Sequence, residues 1–142
     1  MSEFYGYFKE NMEALGLVPP PDSLFGTQQL AIGTISTLLG CIDKFGTRVT
    51  VMDLIGAGTR LEQLAVVGAV GACYYVGALI GSLAVATGRT LSGGTSLADV
   101  LYEASKWKLD RPWLTSLFHR SPGLYNPSVP GRAHIKLYEN LR

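Results

Sequence analysis

His119 and His134 are the only histidines in this chain of 142 residues. Both lie in the polar C-terminal region, with no carboxylate or cysteine placed at metal-ligand spacing, so neither a general base nor a metal centre is expected of them. Cys41 and Cys73 fit no CxxC pattern and read as small hydrophobes on apolar helices. A disulfide between them would require the two helices to align, which spacing does not decide. The run Ser92-Gly93-Gly94-Thr95-Ser96 is glycine-rich and opens a helix, but it lacks the lysine of a phosphate loop. No Ser/His/Asp arrangement is legible. The expectation is therefore a protein with no catalytic residue, no metal and no cofactor.

The spacing that does carry physical content is a strip of small side chains. Ala65, Ala69, Cys73, Gly77 and Gly81 recur every fourth residue, and positions four apart stack on one helix face. A strip of this kind lets another helix backbone approach closely. In lipid, where no hydrophobic drive acts between helices, that close packing takes over. Gly77 and Gly81 form a GxxxG pair within it. Gly33, Thr37 and Cys41 offer a shorter strip at the same spacing. Two readings stay open: the strips pack against each other within one chain, or they drive self-association up to a homo-oligomeric pore.

Two charge-free stretches must position these strips. Twenty residues without charge separate Asp22 from Asp43, and 26 separate Glu62 from Arg89. A spanning helix needs about 20 mainly apolar residues at roughly 1.5 Å rise each, and both stretches reach that length. The second, with no proline and no charge, reads as a membrane helix from Leu61 to about Gly88. The first, the run Ser23 to Ile42 with its helix from about Leu24, carries Gln28, Gln29 and five hydroxyls, so it would lie against the second, line a wet cavity, or belong to a buried hairpin in a soluble bundle. Ahead of this hairpin, Phe4, Tyr5, Phe8, Met12 and Leu15 recur at helical spacing, Gly16 marks a stop, and Pro19-Pro20-Pro21 cannot continue a helix. Asp22 or Ser23 stands where an N-cap belongs, and Phe45-Gly46 ends the first apolar helix. Residues 47–58 alternate at Val49 and Val51 and then turn helix-like, which leaves them ambiguous. Ser96 with Asp99 resembles a capping box opening a helix with Leu97, Val100, Leu101, Ala104 and Trp107 on one face. Pro112 suits the first turn of another, with Leu114, Leu117 and Phe118 buried. From Ser121 onward, Pro122, Pro127 and Pro130 with Gly123 and Gly131 give an irregular tail. Trp107 and Trp113, flanked by Lys106, Lys108 and Arg111, suit either a membrane interface or ordinary helix packing.

Composition narrows the class further. Charged residues are 16% of the chain, against roughly 25% in typical soluble domains, and the mean hydropathy is +0.21. Disorder is excluded, since it requires high charge and low hydrophobicity. A net charge of +1 gives no electrostatic footprint for nucleic acid. Two cysteines are too few for a disulfide scaffold. The charge is uneven: residues 1–22 carry −3, residues 43–62 carry 0 and residues 89–142 carry +4. If both apolar helices span, the positive-inside rule places both termini in the cytoplasm. The first residues hold Lys9 among four acids and lack the basic start of a secretory signal, so export would need a dedicated machine.

The runs GLVPPPDSLFGT (16–27), FGTRVTVMDLIGAGTRLEQL (45–64) and YYVGALIGSLAVATGRTLSGGTS (74–96) resemble small, glycine-rich apolar proteins of Gram-negative bacteria encoded near type VI secretion genes. The resemblance covers about two thirds of the chain. Some such proteins are membrane-permeabilising antibacterial effectors paired with membrane immunity proteins. The resemblance implies a lipid bilayer, a secretion carrier or chaperone, and a cognate immunity protein as partners. It transfers no catalytic motif. The working residues would be the packing strip, here Ala69, Cys73, Gly77 and Gly81.

The sequence thus predicts an all-α protein. Residues 1–95 form an amphipathic helix plus an apolar helical hairpin (24–42 and 61–88). Residues 96–142 form helical and then irregular C-terminal structure within the same compact unit. The function expected is a membrane-inserting, pore-forming effector that depolarises membranes by helix association. The alternatives are a structural accessory subunit of a larger membrane complex, with the C-terminal arm laid over a partner, and a soluble helical domain.

Overall fold

The structure, a computed structural model, describes residues 3–51, 53, 71–91 and 96–126. Among these it is all-helical, with no strand and one isolated antiparallel bridge between Thr50 and Gly71. The helices are α1 (Glu3–Ala14), α2 (Asp22–Phe25), α3 (Gln28–Phe45), α4 (Ala72–Leu91), α5 (Leu97–Lys106) and α6 (Pro112–Arg120), followed by a 3₁₀ turn at Pro122–Leu124.

Local chemistry sets the boundaries. Gly16, with φ 76°, closes α1: Leu17 N donates to Met12 O and Gly16 N to Glu13 O, at 3.1 and 3.0 Å. This is the pair of bonds that satisfies the last carbonyls of a glycine-ended helix. The expected single helix from Leu24 to Ile42 is instead two. Gly26 N donates to Asp22 O and ends α2. Thr27 then leaves the helical region, and its hydroxyl accepts from Leu30 N to start α3, which runs on to Phe45. The Gly-Thr pair terminates one helix and caps the next, and the N-cap of α2 is Pro21 rather than Asp22 or Ser23. The Thr34 hydroxyl, donating to Leu24 O at 3.0 Å, ties the two pieces together. The capping box at Ser96 and Asp99 is present on α5, and Pro112 opens α6. A second reciprocal pair joins Thr50 N to Asp53 Oδ2 and Asp53 N to the Thr50 hydroxyl.

Helix α4 is the axis of the fold. α1, α3, α5, α6 and the 3₁₀ turn all pack on it, α1 most extensively. Every residue from Tyr74 to Thr87 is buried, about four turns of helix. A helix that is apolar all round belongs in a core or a membrane, and here it lies in a core. The surrounding helices are amphipathic: α1 presents Phe8 and Met12, α3 presents Ala31, Ile35, Leu38 and Ile42, and α6 presents Leu114, Leu117 and Phe118. Phe8 stacks on Phe25 at 5.0 Å between ring centroids. Phe118 meets Tyr125 edge-on at 5.3 Å. These residues form one continuous core cluster from Phe8 to Tyr125.

The expected helix from Leu61 to Gly88 does not run through Gly71, which forms the antiparallel bridge with Thr50; the helix starts at Ala72 and runs on to Leu91. Ala65 and Ala69 lie outside the described residues, as do residues 92–95 and 127–142. Among the described residues no helix is long and apolar enough to cross a membrane.

Candidate functional site

The glycine face of α4 is closely packed. A Cβ placed on Gly77 would collide with Leu117 Cδ2 and lie 3.6 Å from Leu124 Cδ1. One placed on Gly81 would collide with the Leu124 carbonyl oxygen and lie 2.9 Å from its carbonyl carbon. The C-terminal arm, residues 117–125, crosses at both positions, its Leu124 backbone against Gly81 and the tip of its Leu117 side chain against Gly77. The two glycines are thus covered within the chain, but by an unexpected partner. The α3 strip does not meet it: Gly33 and Thr37 are exposed, and a Cβ on Gly33 would touch nothing within 4 Å. The Thr37 hydroxyl donates back to Gly33 O on its own helix. Cys41 is half-buried against the core.

A polar node lies beside the glycines. Asn11, on α1, is 3% exposed. Its Nδ2 donates to the Ser82 hydroxyl oxygen at 2.8 Å and to Leu124 O at 3.1 Å. One side-chain amide therefore joins α1, α4 and the arm, and both of its N–H groups are used. Sequence reasoning missed Asn11. The signal was available: it falls between Phe8, Met12 and Leu15 on the face that had to be buried, where an amide needs partners.

Helix α4 also carries buried hydroxyls. The Tyr75 ring is fully buried, and among the described residues neither its hydroxyl nor that of Thr87 has a hydrogen-bond partner. Burial pushes the Tyr75 phenol well above its usual value. Each such group costs about 1–3 kcal/mol of desolvation that no bond returns.

The remaining residues singled out by type and spacing do not converge. Cys41 and Cys73 are free thiols. Cys73 Sγ lies 3.4 Å from Thr47 O, and burial pushes its pKa up to about 11, so the thiol stays neutral. Trp107 and Trp113 are half-buried against the core. His119 is exposed in the last turn of α6, and His134 lies outside the described residues. Among the described residues no group of His, Cys, Asp and Glu is arranged to hold a metal ion.

What the arrangement can do is mechanical. An apolar helix buried from Tyr74 to Thr87 is held under a strap that packs its Leu117, Phe118, Leu124 and Tyr125 into the core and is bonded to Asn11. No protein-family model matches the chain, no curated protein matches it, and no solved structure matches its fold.

Proposed function

We propose that this chain is a membrane-inserting, pore-forming antibacterial effector of the type VI secretion kind, which carries its membrane-active helix wrapped inside amphipathic helices and releases it at a bilayer. The observation that carries this reading is the burial of α4 on every side from Tyr74 to Thr87. Such a helix has two compatible surroundings, a protein core and lipid, and exchanging one for the other leaves its apolar surface out of water throughout. The segment that enters lipid is the whole charge-free run 63–88, which extends beyond the described start of α4.

The glycine face supports the reading in a second way. In lipid, Gly77 and Gly81 would let a neighbouring helix come close. In the folded chain Leu117 and Leu124 occupy that space, so wrapping and assembly use one face and exclude each other. Among the described residues the Tyr75 and Thr87 hydroxyls have no partner, so the wrapped state carries their desolvation cost. A secretion carrier would deliver the wrapped form, and a membrane immunity protein would meet the inserted one.

The test is dye release and conductance with purified protein on vesicles and planar bilayers, alongside periplasm-targeted expression read for growth and membrane potential together. The reading expects release, discrete conductance and depolarisation. Growth inhibition with an intact membrane potential, or protein that leaves both vesicles and bilayers sealed, contradicts it.

A further inference from the structure

The carbonyl oxygen of Leu124 meets two helices at once. It lies so close to Gly81 of α4 that a Cβ there would collide with it. It also accepts from Asn11 Nδ2 of α1 at 3.1 Å. The same amide donates at 2.8 Å to the hydroxyl of Ser82, the residue next to Gly81. The arm is thus held by α1 at the point where its backbone crosses the glycine face.

That bond couples two elements that share little else. Among the described residues α1 packs extensively on α4, and it has no comparable packing with α6 or with the turn at Pro122–Leu124. The bond joins residues 113 apart in sequence. The N–H groups of Ser121, Leu124 and Tyr125, by contrast, donate to carbonyls within the arm itself. Such short local bonds do not persist in a segment that has left the core. α1 is seated by apolar burial: Phe8, Met12 and Leu15 are fully buried, and Phe4 stacks on Phe8 at 6.1 Å between ring centroids. Asn11, 3% exposed among them, presents its donors to Ser82 and Leu124 while α1 stays docked. When α1 leaves, the donor leaves with it. Leu124 is fully buried, and a buried carbonyl that loses its donor favours moving out to water. We propose that Asn11 is an autoinhibitory latch: docked α1 holds the arm over Gly77 and Gly81, and α1 undocks before the arm lifts. The proposal rests on the membrane reading for what the bared glycines then do, and it names how they are kept covered.

The test is native-state hydrogen exchange on the whole chain in water, so its outcome does not depend on whether the protein permeabilises membranes. It compares the parent, Phe4→Ala, Asn11→Ala and the double variant. Phe4 is half-buried and seven residues from Asn11, so Phe4→Ala loosens α1 without touching the latch. In the parent, α1 amides should exchange at least as fast as the arm amides of Ser121, Leu124 and Tyr125. Phe4→Ala should speed α1 and the arm by a common factor of about fivefold or more, because arm opening requires α1 opening. Asn11→Ala should speed the arm by a similar factor, the scale of one buried hydrogen bond lost. In the Asn11→Ala background, adding Phe4→Ala should still speed α1 but leave the arm within about twofold, the non-additivity expected of coupled elements. Circular dichroism on each variant checks that the fold persists. Arm amides that exchange faster than those of α1 in the parent, or an arm that Phe4→Ala leaves unchanged, would overturn the latch. So would an arm that Phe4→Ala speeds equally with and without Asn11. The parent and Phe4→Ala measurements need no change at Asn11, so they decide the order of opening even if Asn11→Ala does not fold.

Discussion

Gly77 and Gly81 differ in what presses on them, and that difference is measurable. At Gly81 the obstacle is the Leu124 backbone, and at Gly77 it is the tip of the Leu117 side chain, which can swing aside. Alanine also favours a helix over glycine by about 1 kcal/mol, which offsets part of any clash. Gly81→Ala should therefore destabilise the fold by about 1–3 kcal/mol, the usual scale of overpacking, while Gly77→Ala stays near neutral. Urea denaturation of both variants checks this, and the reverse order would mean the arm does not cross where described. Tyr75 gives the opposite sign. Tyr75→Phe keeps the buried ring and removes a hydroxyl with no partner among the described residues, so it should raise stability by up to about 1–3 kcal/mol and, on the proposed function, slow dye release. A lower melting temperature for Tyr75→Phe would show that the hydroxyl is satisfied in solution. The glycines themselves were legible as a close-packing face from four-residue spacing alone. Their partner was not, because periodicity fixes which side chains share a face and says nothing about which distant segment covers it. Leu117 and Leu124 lie some 40 residues downstream, and Leu124 sits in a stretch whose prolines read as an irregular tail.

The elements were most readable where a side chain closes a local hydrogen bond. Ser96 with Asp99, Gly16 and Pro112 each marked a real boundary, since those bonds span only a few residues and do not depend on the rest of the fold. The Thr50-Asp53 pair has the same spacing as Ser96-Asp99, but the alternation at Val49 and Val51 followed by a helix-like pattern leaves that stretch ambiguous in sequence. The Gly26-Thr27 break was hidden by attention to charge-free length, a measure to which glycine and threonine are invisible. Between elements, Arg111 forms a fork on Asp43: Nε donates to Oδ1 at 3.0 Å and Nη2 to Oδ2 at 2.8 Å. This ties the last turn of α3 to the N-cap of α6 and so to the root of the arm. The Arg111 hydrogen bonds hold the Asp43 carboxyl below its ordinary value of 3.8. A lowered carboxyl pKa stabilises the fold above the ordinary value and loses that contribution as pH falls through the lowered one. The pair is partly exposed, so its worth is at most about 1 kcal/mol. Asp43→Asn should thus cost a little stability at neutral pH, and the gap to the parent should close in acid well below pH 3.8. A gap that persists unchanged in acid would show that the fork contributes nothing through its charge.

For the whole molecule, the expected all-α class holds, and α3 packs on α4 as a hairpin requires, but α4 is shared with α1, α5 and α6 as well instead of being one half of an isolated pair. Composition could indicate a helix needing complete burial, but burial in lipid and burial in protein look alike in hydropathy, because both demand an apolar surface on every side. What separates them is the supply of amphipathic helices around it, and α1, α3, α5 and α6 form that supply only once the chain is folded. On the proposed function, wrapping is one state of α4, and the arm must leave before the glycine face can act. Hydrogen exchange measured on the protein in water and again on mixing with anionic vesicles, with dye release followed in the same sample, tests this directly. In water, amides of residues 74–87 and of the helical part of the arm should both be protected. With vesicles, the arm from Leu117 to Tyr125 should lose protection at the rate at which dye is released, while residues 74–87 stay protected because lipid replaces the sleeve. Dye release with the arm as protected as it was in water, or an arm that opens while vesicles remain sealed, would contradict the account.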